Sequence, residues 1–171
     1  MRGCAAMKVI GRGKWLLCHG SGDAMARSFT ALDKVRAEAA LLVFGYDMTD
    51  DHSPWEVGLG FTVSRKKGDF RGKKAVFALE GRERFLLAGI AADHGDALAG
   101  GEKLLWAGQE VGLVNSPAWS HRLEKSLALV HLRPDAKAPG CSLDVVGEDF
   151  ACTAVVERIP FFDPGKARTH A

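Results

Sequence analysis

Residues 103–114 read KLLWAGQEVGLV, with two short apolar runs on either side of the glycine-containing segment 108–110. Two β-compatible runs joined by a short turn of this kind are typical of a β-hairpin. Similar runs occur on both sides of it, at 85–92, 126–132, 142–146 and 151–159. Five or six short strands at a spacing of about 8–12 residues predict a small barrel or sandwich in the second half of the chain.

The first half of the chain has a helical pattern. Between Ala24 and Leu42, apolar residues recur at three- and four-residue steps, which predicts a helix with these residues on one face: Phe29, Leu32, Val35, Ala39 and Leu42. Turn-forming residues then predict a loop over 45–54. The sequence therefore indicates an α+β protein, with helix first and strands afterwards.

The region between these halves carries mixed signals. Alternation in the second half of 55–63 predicts a strand, and its glycines indicate close backbone approach. Asp69 is expected to cap a short helix over 71–79 that ends at Gly81. We place a domain boundary near Gly81, which divides the chain into an unplaced segment 1–23, a first unit 24–81 and a second unit 82–171.

Composition narrows the functional classes. The chain has 171 residues, 47% hydrophobic and 26% charged, which is typical of a soluble globular protein. Its net charge of +2 does not by itself indicate a nucleic-acid partner. Between positions 65 and 84, eight Lys and Arg outnumber three acids; this segment either attracts an anion or forms a solvated face. No apolar run approaches the ~20 residues of a membrane span, so we expect a soluble, cytoplasmic protein.

Motifs for metal, redox or phosphate chemistry are not found in the sequence. The four cysteines are not spaced as a CxxC pair, and we expect reduced thiols, with Cys152 in a core strand. The six histidines form no HxH or HExxH pattern, so no metal site is predicted. His131 lies in an apolar strand and is interpreted as a core or edge histidine.

Three blocks of sequence resemble one known family. The first runs from Leu32 through the segment 53–61 to KGDFRGKKA at 67–75. The second runs from 100–108 through 111–112 to 116–132 and includes SPAWSHRLEKSLA at 116–128, and the third is IPFFDP at 159–164. Together they resemble the folate-binding aminomethyltransferase superfamily, which includes the glycine-cleavage T-protein, the C-terminal regions of dimethylglycine and sarcosine dehydrogenases, and dimethylsulfoniopropionate demethylase. The second and third blocks are more similar to the dehydrogenase and demethylase branches.

The resemblance implies a fold and an activity. Residues 24–81 would be the C-terminal part of the folate-binding domain, and residues 82–171 a small antiparallel β-barrel domain. The cofactor would be tetrahydrofolate, which accepts a one-carbon unit from a small amine or sulfonium donor.

The resemblance also implies five cofactor-binding residues. Glu38 would contact the pterin ring, because a carboxylate can accept two parallel hydrogen bonds; the alternative is a solvated helix glutamate paired with Lys34. Lys67 would lie near the glutamate tail of the folate. Trp55 and Phe61 would form an apolar wall for the pterin or belong to the core, and His121 would contact ligand or serve as a hydrogen-bonding strut.

Two departures from the family pattern limit the expected activity. The glycine-cleavage enzyme has an arginine near the position of Leu98, and its catalytic aspartate lies upstream of the helix that holds Glu38. We therefore assign no catalytic residue and expect that the chain is a fragment, active only with an N-terminal half or partner subunit. The alternatives are a non-catalytic folate-binding or accessory module, and a fragmentary gene product with a residual fold.

Overall fold

The computed structural model of the chain describes residues 15–17, 26–165 and 167. Two three-residue strands, β1 (Trp15–Leu17) and β2 (Ala26–Ser28), pair antiparallel and precede helix α1 (Phe29–Glu38). A long loop follows, with a short 3₁₀ helix at Gly60–Thr62, and leads to helix α2 (Lys73–Ala78). This part lies against one side of the barrel that the remaining residues form.

The second part is a closed antiparallel barrel. Its strands are β3 (Leu86–Ala92), β4 (Lys103–Trp106), β5 (Gln109–Ser120), β6 (Lys125–Leu132), β7 (Ser142–Val146) and β8 (Ala151–Glu157). They are hydrogen-bonded in the order β3-β6-β5-β4-β7-β8, and β8 pairs with β3 to close the ring. The α+β class with a small barrel is therefore confirmed, and the sandwich alternative is not realised.

Apolar side chains that alternate along the strands fill the barrel. Ile90, Leu104, Val130 and Val145 are each 0% exposed and belong to one continuous core cluster. On β7 every second residue is buried, which is the pattern expected of a strand with one face toward the core. The hairpin predicted around 108–110 is the β4–β5 pair, and its second strand begins at Gln109.

A β-bulge in β5 changes which way its later residues face. Val114 pairs with Val130 but Ser116 pairs with Leu129, so Asn115 is one extra residue in β5. Val114 belongs to the barrel core, whereas Ser116 is hydrogen-bonded to α1, outside the barrel. An extra residue shifts the alternation of side chains by one position. The bulge thereby directs the end of β5 toward the helix.

Helix α1 is shorter than the sequence pattern predicts. It begins at Phe29 because Ser28 caps it, its Oγ accepting a hydrogen bond from the Ala31 amide at 3.0 Å. It ends at Glu38, and Ala40 has the left-handed φ of 54°. Residues 26–28 form a strand instead of a first helical turn, and Ala24 lies outside the described residues.

The burial of α1 is opposite to its apolar periodicity. Phe29, Leu32 and Val35 share one face as predicted, but they are 61%, 60% and 58% exposed. Ala39 and Leu42, predicted on the same face, lie beyond the end of the helix. The buried residues of the helix are Ala37 and Glu38, at 1% and 8% exposure. The barrel therefore contacts the more polar side of this helix, and the apolar side is largely exposed.

Residues 55–63 do not form the predicted strand. Their backbone is satisfied locally instead, for example by the bond from the Leu59 amide to the Pro54 carbonyl at 2.8 Å. The Trp55 indole donates a hydrogen bond to the Val76 carbonyl at 3.0 Å, and its ring lies where a side chain at Gly60 would be. The Trp55 ring thus lies close to the backbone of Gly60, as the glycines of this segment predict, but the segment forms turns and not a strand.

Helix α2 is also shorter than predicted, and Asp69 does not cap it. The cap is Gly72, whose φ of 85° is in the left-handed region where a side chain is unfavourable. Lys73 donates hydrogen bonds to the carbonyls of Lys67 and Gly68, at 2.6 and 3.2 Å, and so fixes the preceding loop. Gly81, with φ 76°, lies just beyond the end of the helix.

Two of the four cysteines lie in the described part. Cys141 and Cys152 are free thiols and both are half-buried. Cys152 packs against the barrel core as predicted, and burial raises its pKa. Cys4 and Cys18 lie outside the described residues. Within the described ranges, no helix has the length and apolar character needed to cross a membrane.

Candidate functional site

The carboxylate of Glu38 is held between α1 and the end of β5. Its Oε1 accepts a hydrogen bond from the Ser120 hydroxyl at 2.6 Å. Both residues are buried, at 8% and 1% exposure. The Ser120 oxygen in turn accepts a hydrogen bond from the Leu123 amide at 3.1 Å, which orients the hydroxyl toward the glutamate. A buried carboxylate with a charge-assisted hydrogen bond of this length has a fixed position.

The second carboxylate oxygen, Oε2 of Glu38, accepts no hydrogen bond from any residue that the structure describes. The surface-pair alternative for this glutamate is not realised, because Lys34 points to a different partner. Lys34 Nζ lies 2.9 Å from His121 Nε2, on the strand end next to Ser120. Glu38 therefore has one oxygen fixed by the barrel and one oxygen available to a further donor.

His121 acts as a strut in this structure. Lys34 is a donor only, so the ring nitrogen Nε2 of His121 is the acceptor in this contact. The contact joins α1 to the barrel one helical turn before Glu38. A contact between His121 and a ligand stays a prediction.

The C-terminal segment 159–164 completes the surroundings of Glu38. The Phe162 amide donates a hydrogen bond to the Glu38 carbonyl at 3.1 Å. The guanidinium of Arg122 lies over the Phe162 ring, 4.1 Å from its centre. All three sequence blocks singled out above therefore meet at the C-terminal end of α1, although they are far apart along the chain.

The other three predicted site residues do not contact Glu38. Trp55 packs on Gly60 and against the Phe77 ring, so its observed role is structural. Phe61 is 85% exposed and lines a groove of about 960 Å³ together with Leu41 and neighbouring residues. Lys67 is exposed on the basic loop, with its Nζ 5.7 Å from the centre of the Phe70 ring. Their ligand roles stay predictions.

Sequence reasoning missed a buried ion pair beside this site. Arg36 contacts Asp47 at 2.6 Å, and it also donates a hydrogen bond to Ser116 Oγ at 3.0 Å. Asp47 is 0% exposed and also accepts a hydrogen bond from the Val43 amide at 2.9 Å. Asp47 lies in the segment 45–54, for which the sequence predicts only a loop, and nothing in that segment indicates a partner eleven residues away.

His131 fastens the same loop to the barrel. Its Nε2–H donates a hydrogen bond to the Asp47 carbonyl at 2.8 Å, and its backbone amide donates to the side chain of the bulge residue Asn115 at 3.0 Å. Burial lowers the pKa of His131, which favours the neutral ring. The prediction that His131 is a satisfied core or edge histidine is confirmed.

Glu56 anchors the loop at the other end. Its carboxylate is hydrogen-bonded to the Arg84 guanidinium at 2.8 Å and to the Ser53 amide at 2.8 Å. The bond from Arg84 lowers the pKa of Glu56 to about 2, despite the opposing effect of burial. In the described residues, no three His, Cys, Asp or Glu side chains are grouped as a metal site requires.

Comparisons with known proteins agree with this architecture. Residues 86–163 match the family described as the glycine cleavage T-protein C-terminal barrel domain. The solved structure of the glycine cleavage system aminomethyltransferase T from Bartonella henselae superposes with a TM-score of 0.73 at 22% identity, over 78% of this chain and 38% of that one. At this identity the likeness shows the fold.

Curated relatives extend the similarity beyond the barrel. The heme-dependent oxidative N-demethylase gamma subunit of Ectopseudomonas mendocina is 37% identical over 153 residues, which are 84% of this chain and 40% of that protein. An aminomethyltransferase of Symbiobacterium thermophilum is 35% identical, over 77% of this chain and 36% of that protein. Mouse mitochondrial dimethylglycine dehydrogenase is 31% identical, over 81% of this chain and 16% of that protein.

The chain thus spans about 40% or less of the length of these relatives. The matched family, the closed six-stranded barrel and the relatives' names all indicate the same superfamily. Residues 86–163 therefore form a glycine cleavage T-protein C-terminal barrel domain.

Proposed function

We propose that this chain forms the C-terminal part of a tetrahydrofolate-dependent one-carbon transferase, of the aminomethyltransferase and demethylase type. The observation that supports this most directly is the Glu38 carboxylate, buried and held by Ser120 through one oxygen only. A fixed carboxylate with an available oxygen is suited to a planar ligand that presents N–H donors. The pterin ring of a folate carries such a pair of donors. Oε2 can accept one of them, and Oε1, which has a second lone pair beside the one that Ser120 uses, can accept the other, so the residues present fit the cofactor.

The remaining site residues receive their roles in the same proposal. Lys67, on the exposed basic loop, would pair with the carboxylates of the glutamate tail. Phe61 would cover the apolar ring, while Trp55 supports the loop that carries it. His121 would hold the Ser120 end of β5 against α1. Residues 24–81 would be the end of the folate-binding domain and 82–171 the barrel domain, in a cytoplasmic protein.

In this proposal the protein binds and orients, and tetrahydrofolate supplies the atom that accepts the one-carbon unit. A small amine donor is favoured by the names of the relatives, an N-demethylase subunit and dimethylglycine dehydrogenase among them. No catalytic residue is assigned in this chain. The carboxylate that the family resemblance places upstream of α1 would come from an N-terminal half or a partner subunit.

A second candidate is a non-catalytic folate-binding or accessory module. It is favoured by the exposed apolar side of α1, since large unpartnered apolar surfaces mark sites of protein association. The two candidates differ in whether a complete assembly turns over an amine donor.

Calorimetric titration of the purified chain with 5-formyl-tetrahydrofolate tests folate binding, which both candidate functions include. We expect saturable binding, which Glu38→Ala weakens by ~1.5–3 kcal/mol, the range for a hydrogen bond to a charged group. Glu38→Gln keeps one acceptor oxygen and should therefore lose less folate affinity than Glu38→Ala. Glu110→Ala removes an exposed carboxylate at the far end of the barrel and should bind as the unaltered chain does. Unchanged affinity in a folded Glu38→Ala protein would refute the assignment.

A further inference from the structure

Arg122 is a cation beside the candidate site whose hydrogen-bond donors are not used. It is exposed, and its guanidinium lies over the Phe162 ring, 4.1 Å from the ring centre. Among the residues that the structure describes, its side chain forms no hydrogen bond or ion pair. Arg36 differs in this respect, because Asp33 and Asp47 both pair with it. A guanidinium carries five N–H donors, so Arg122 can donate to a further acceptor.

The turn that carries Arg122 is fixed to the Glu38 carboxylate. Ser120 Oγ accepts a hydrogen bond from the Leu123 amide at 3.1 Å, which closes a turn over residues 120–123. The same hydroxyl donates to Glu38 Oε1 at 2.6 Å. Arg122 therefore lies within a turn whose closing side chain is in direct contact with Glu38.

The C-terminal segment holds Arg122 beside Glu38 from a second direction. The Phe162 amide donates a hydrogen bond to the Glu38 carbonyl at 3.1 Å, so the ring that Arg122 covers belongs to a residue fixed at the end of α1. A guanidinium that lies over an aromatic face is attracted to it, which restricts the orientation of the long side chain. Two connections, through Ser120 and through Phe162, thus place the guanidinium near the carboxylate.

Glu38 and Arg122 carry opposite charges but are not ion-paired with each other. Each therefore offers polar atoms to a third group, an acceptor oxygen on Glu38 and N–H donors on Arg122. A ligand that satisfies both presents N–H groups to the carboxylate and an oxygen acceptor to the guanidinium. A lactam ring has this arrangement along one edge, because its N–H and C=O groups are adjacent.

We propose that Arg122 is a ligand-binding residue, which donates a hydrogen bond to the carbonyl oxygen of a lactam ring whose N–H groups bind Glu38. The inference rests on the proposed function, and for a folate the lactam is the 2-amino-4-oxo edge of the pterin. Arg122 then recognises the oxygen at position 4. A ring with an amino group at that position presents a donor where Arg122 requires an acceptor, so the site discriminates against it.

A purely structural role for Arg122 makes a different prediction. If the guanidinium only packs on Phe162 and holds the C-terminal segment on α1, its loss weakens the binding of every ligand of Glu38 to the same extent. Arg122→Met separates the two roles, because a methionine side chain retains contact with an aromatic ring and has no N–H donor.

The test uses a matched pair of ligands, 5-formyl-tetrahydrofolate and its analogue with an amino group in place of oxygen 4. Each is titrated calorimetrically into the purified full chain, and the weaker ligand is measured by displacement of the stronger. We expect Arg122→Ala and Arg122→Met each to lower the ratio of the two affinities at least about fivefold, through loss of a charge-assisted hydrogen bond to the oxygen.

Two further variants serve as controls. Arg122→Lys keeps a charged donor without the planar fork, so it should recover part of the lost ratio. Lys103→Ala removes one positive charge from a residue that is paired with Glu110, and it should leave both affinities within about twofold of the unaltered chain.

An unchanged ratio in folded Arg122→Met would overturn the inference, whether both affinities stay the same or both fall together. A parallel fall in Arg122→Ala alone would likewise assign Arg122 a structural role. Both results leave the proposed function intact, since the unaltered chain still binds folate. If the folded, unaltered chain binds neither ligand, the proposed function is refuted and this inference with it.

Discussion

Substitution of Ser120 by alanine tests the contact that joins the barrel to the candidate site. The change removes the hydroxyl that donates to Glu38 at 2.6 Å and accepts from the Leu123 amide at 3.1 Å. It deletes one oxygen atom from a residue that is 1% exposed, so steric changes are small. The main effect is therefore the loss of the only hydrogen bond that the described residues make to the Glu38 carboxylate.

The expected cost follows from the charge and burial of the acceptor. A hydrogen bond to a charged group contributes about 1.5–3 kcal/mol, and the buried carboxylate has no protein donor to replace it. The Leu123 amide is only half-buried and can be hydrated, so its contribution is small. We expect Ser120→Ala to lower the free energy of unfolding by about 1.5–3 kcal/mol, which lowers the Tm by several degrees for a chain of this size.

Urea denaturation of the matched pair Ser120→Ala and Ser126→Ala separates this contact from general effects of the substitution. Ser126, on the neighbouring strand β6, is 0% exposed, and its hydroxyl has no hydrogen-bond partner in the described structure. Removal of an unpaired buried hydroxyl should be neutral or stabilising. A double-mutant cycle of Ser120→Ala with Glu38→Ala, which removes the acceptor, then isolates the pairwise interaction energy, for which we expect at least about 1 kcal/mol.

Equal effects of the two serine substitutions would contradict this reasoning. A coupling energy below about 0.5 kcal/mol between positions 38 and 120 would do the same, because that is the scatter of independent sites. Either result would mean that the barrel does not hold the Glu38 carboxylate in solution.

Three further predictions concern the loop that joins α1 to the barrel. Arg84 lowers the pKa of Glu56 from 4.5 to about 2. The contribution of Glu56 to the free energy of unfolding is therefore present above pH 4.5 and is lost as the pH falls toward 2. Glu56→Gln should remove about 1–3 kcal/mol of this pH-dependent stability, measured by urea denaturation across the pH range. Because the pKa of His131 is lowered in the folded state, unfolded chains bind its proton first, so stability should fall as the pH drops below about 6.5. His131→Gln, which keeps a neutral donor, should flatten the stability profile in that range. Gly60→Ala would overlap the Trp55 ring and should lower the free energy of unfolding by about 1–3 kcal/mol, measured by urea denaturation against Gly95→Ala, where the added methyl meets open space.

The barrel could be predicted from sequence because its signals are local. Strand alternation, the glycine at the β4–β5 turn and the spacing of apolar runs all lie within a few residues of the structure they specify. The same reasoning failed for 55–63, where Trp55 covers Gly60 and local turns satisfy the backbone. Apolar alternation cannot distinguish a strand from a loop folded around one aromatic ring.

The site could be predicted only in part, because its contacts are distant in sequence. Glu38 was found through resemblance, but its partner Ser120 lies 82 positions later, and no periodicity links the two. The apolar stripe of α1 was recognised correctly as one face, yet periodicity could not indicate that the barrel would contact the opposite side. That choice depends on the Arg36, Glu38 and Lys34 contacts with β5 and with the residue that follows it.

The bulge at Asn115 lets two residues that are two positions apart, Val114 and Ser116, face opposite sides of the barrel wall. A regular strand with the same residues would turn Ser116 and Ser120 toward the barrel interior, and the Glu38 contact would be lost although every side chain was retained. Deletion of Asn115 would leave Ser116 directly after Val114 and so still on the side of α1, whereas deletion of one residue between 116 and 120 would turn Ser120 away from Glu38. In alignments of relatives, a single-residue gap at position 115 is therefore compatible with the site, and a gap between 116 and 120 is a sign of altered chemistry.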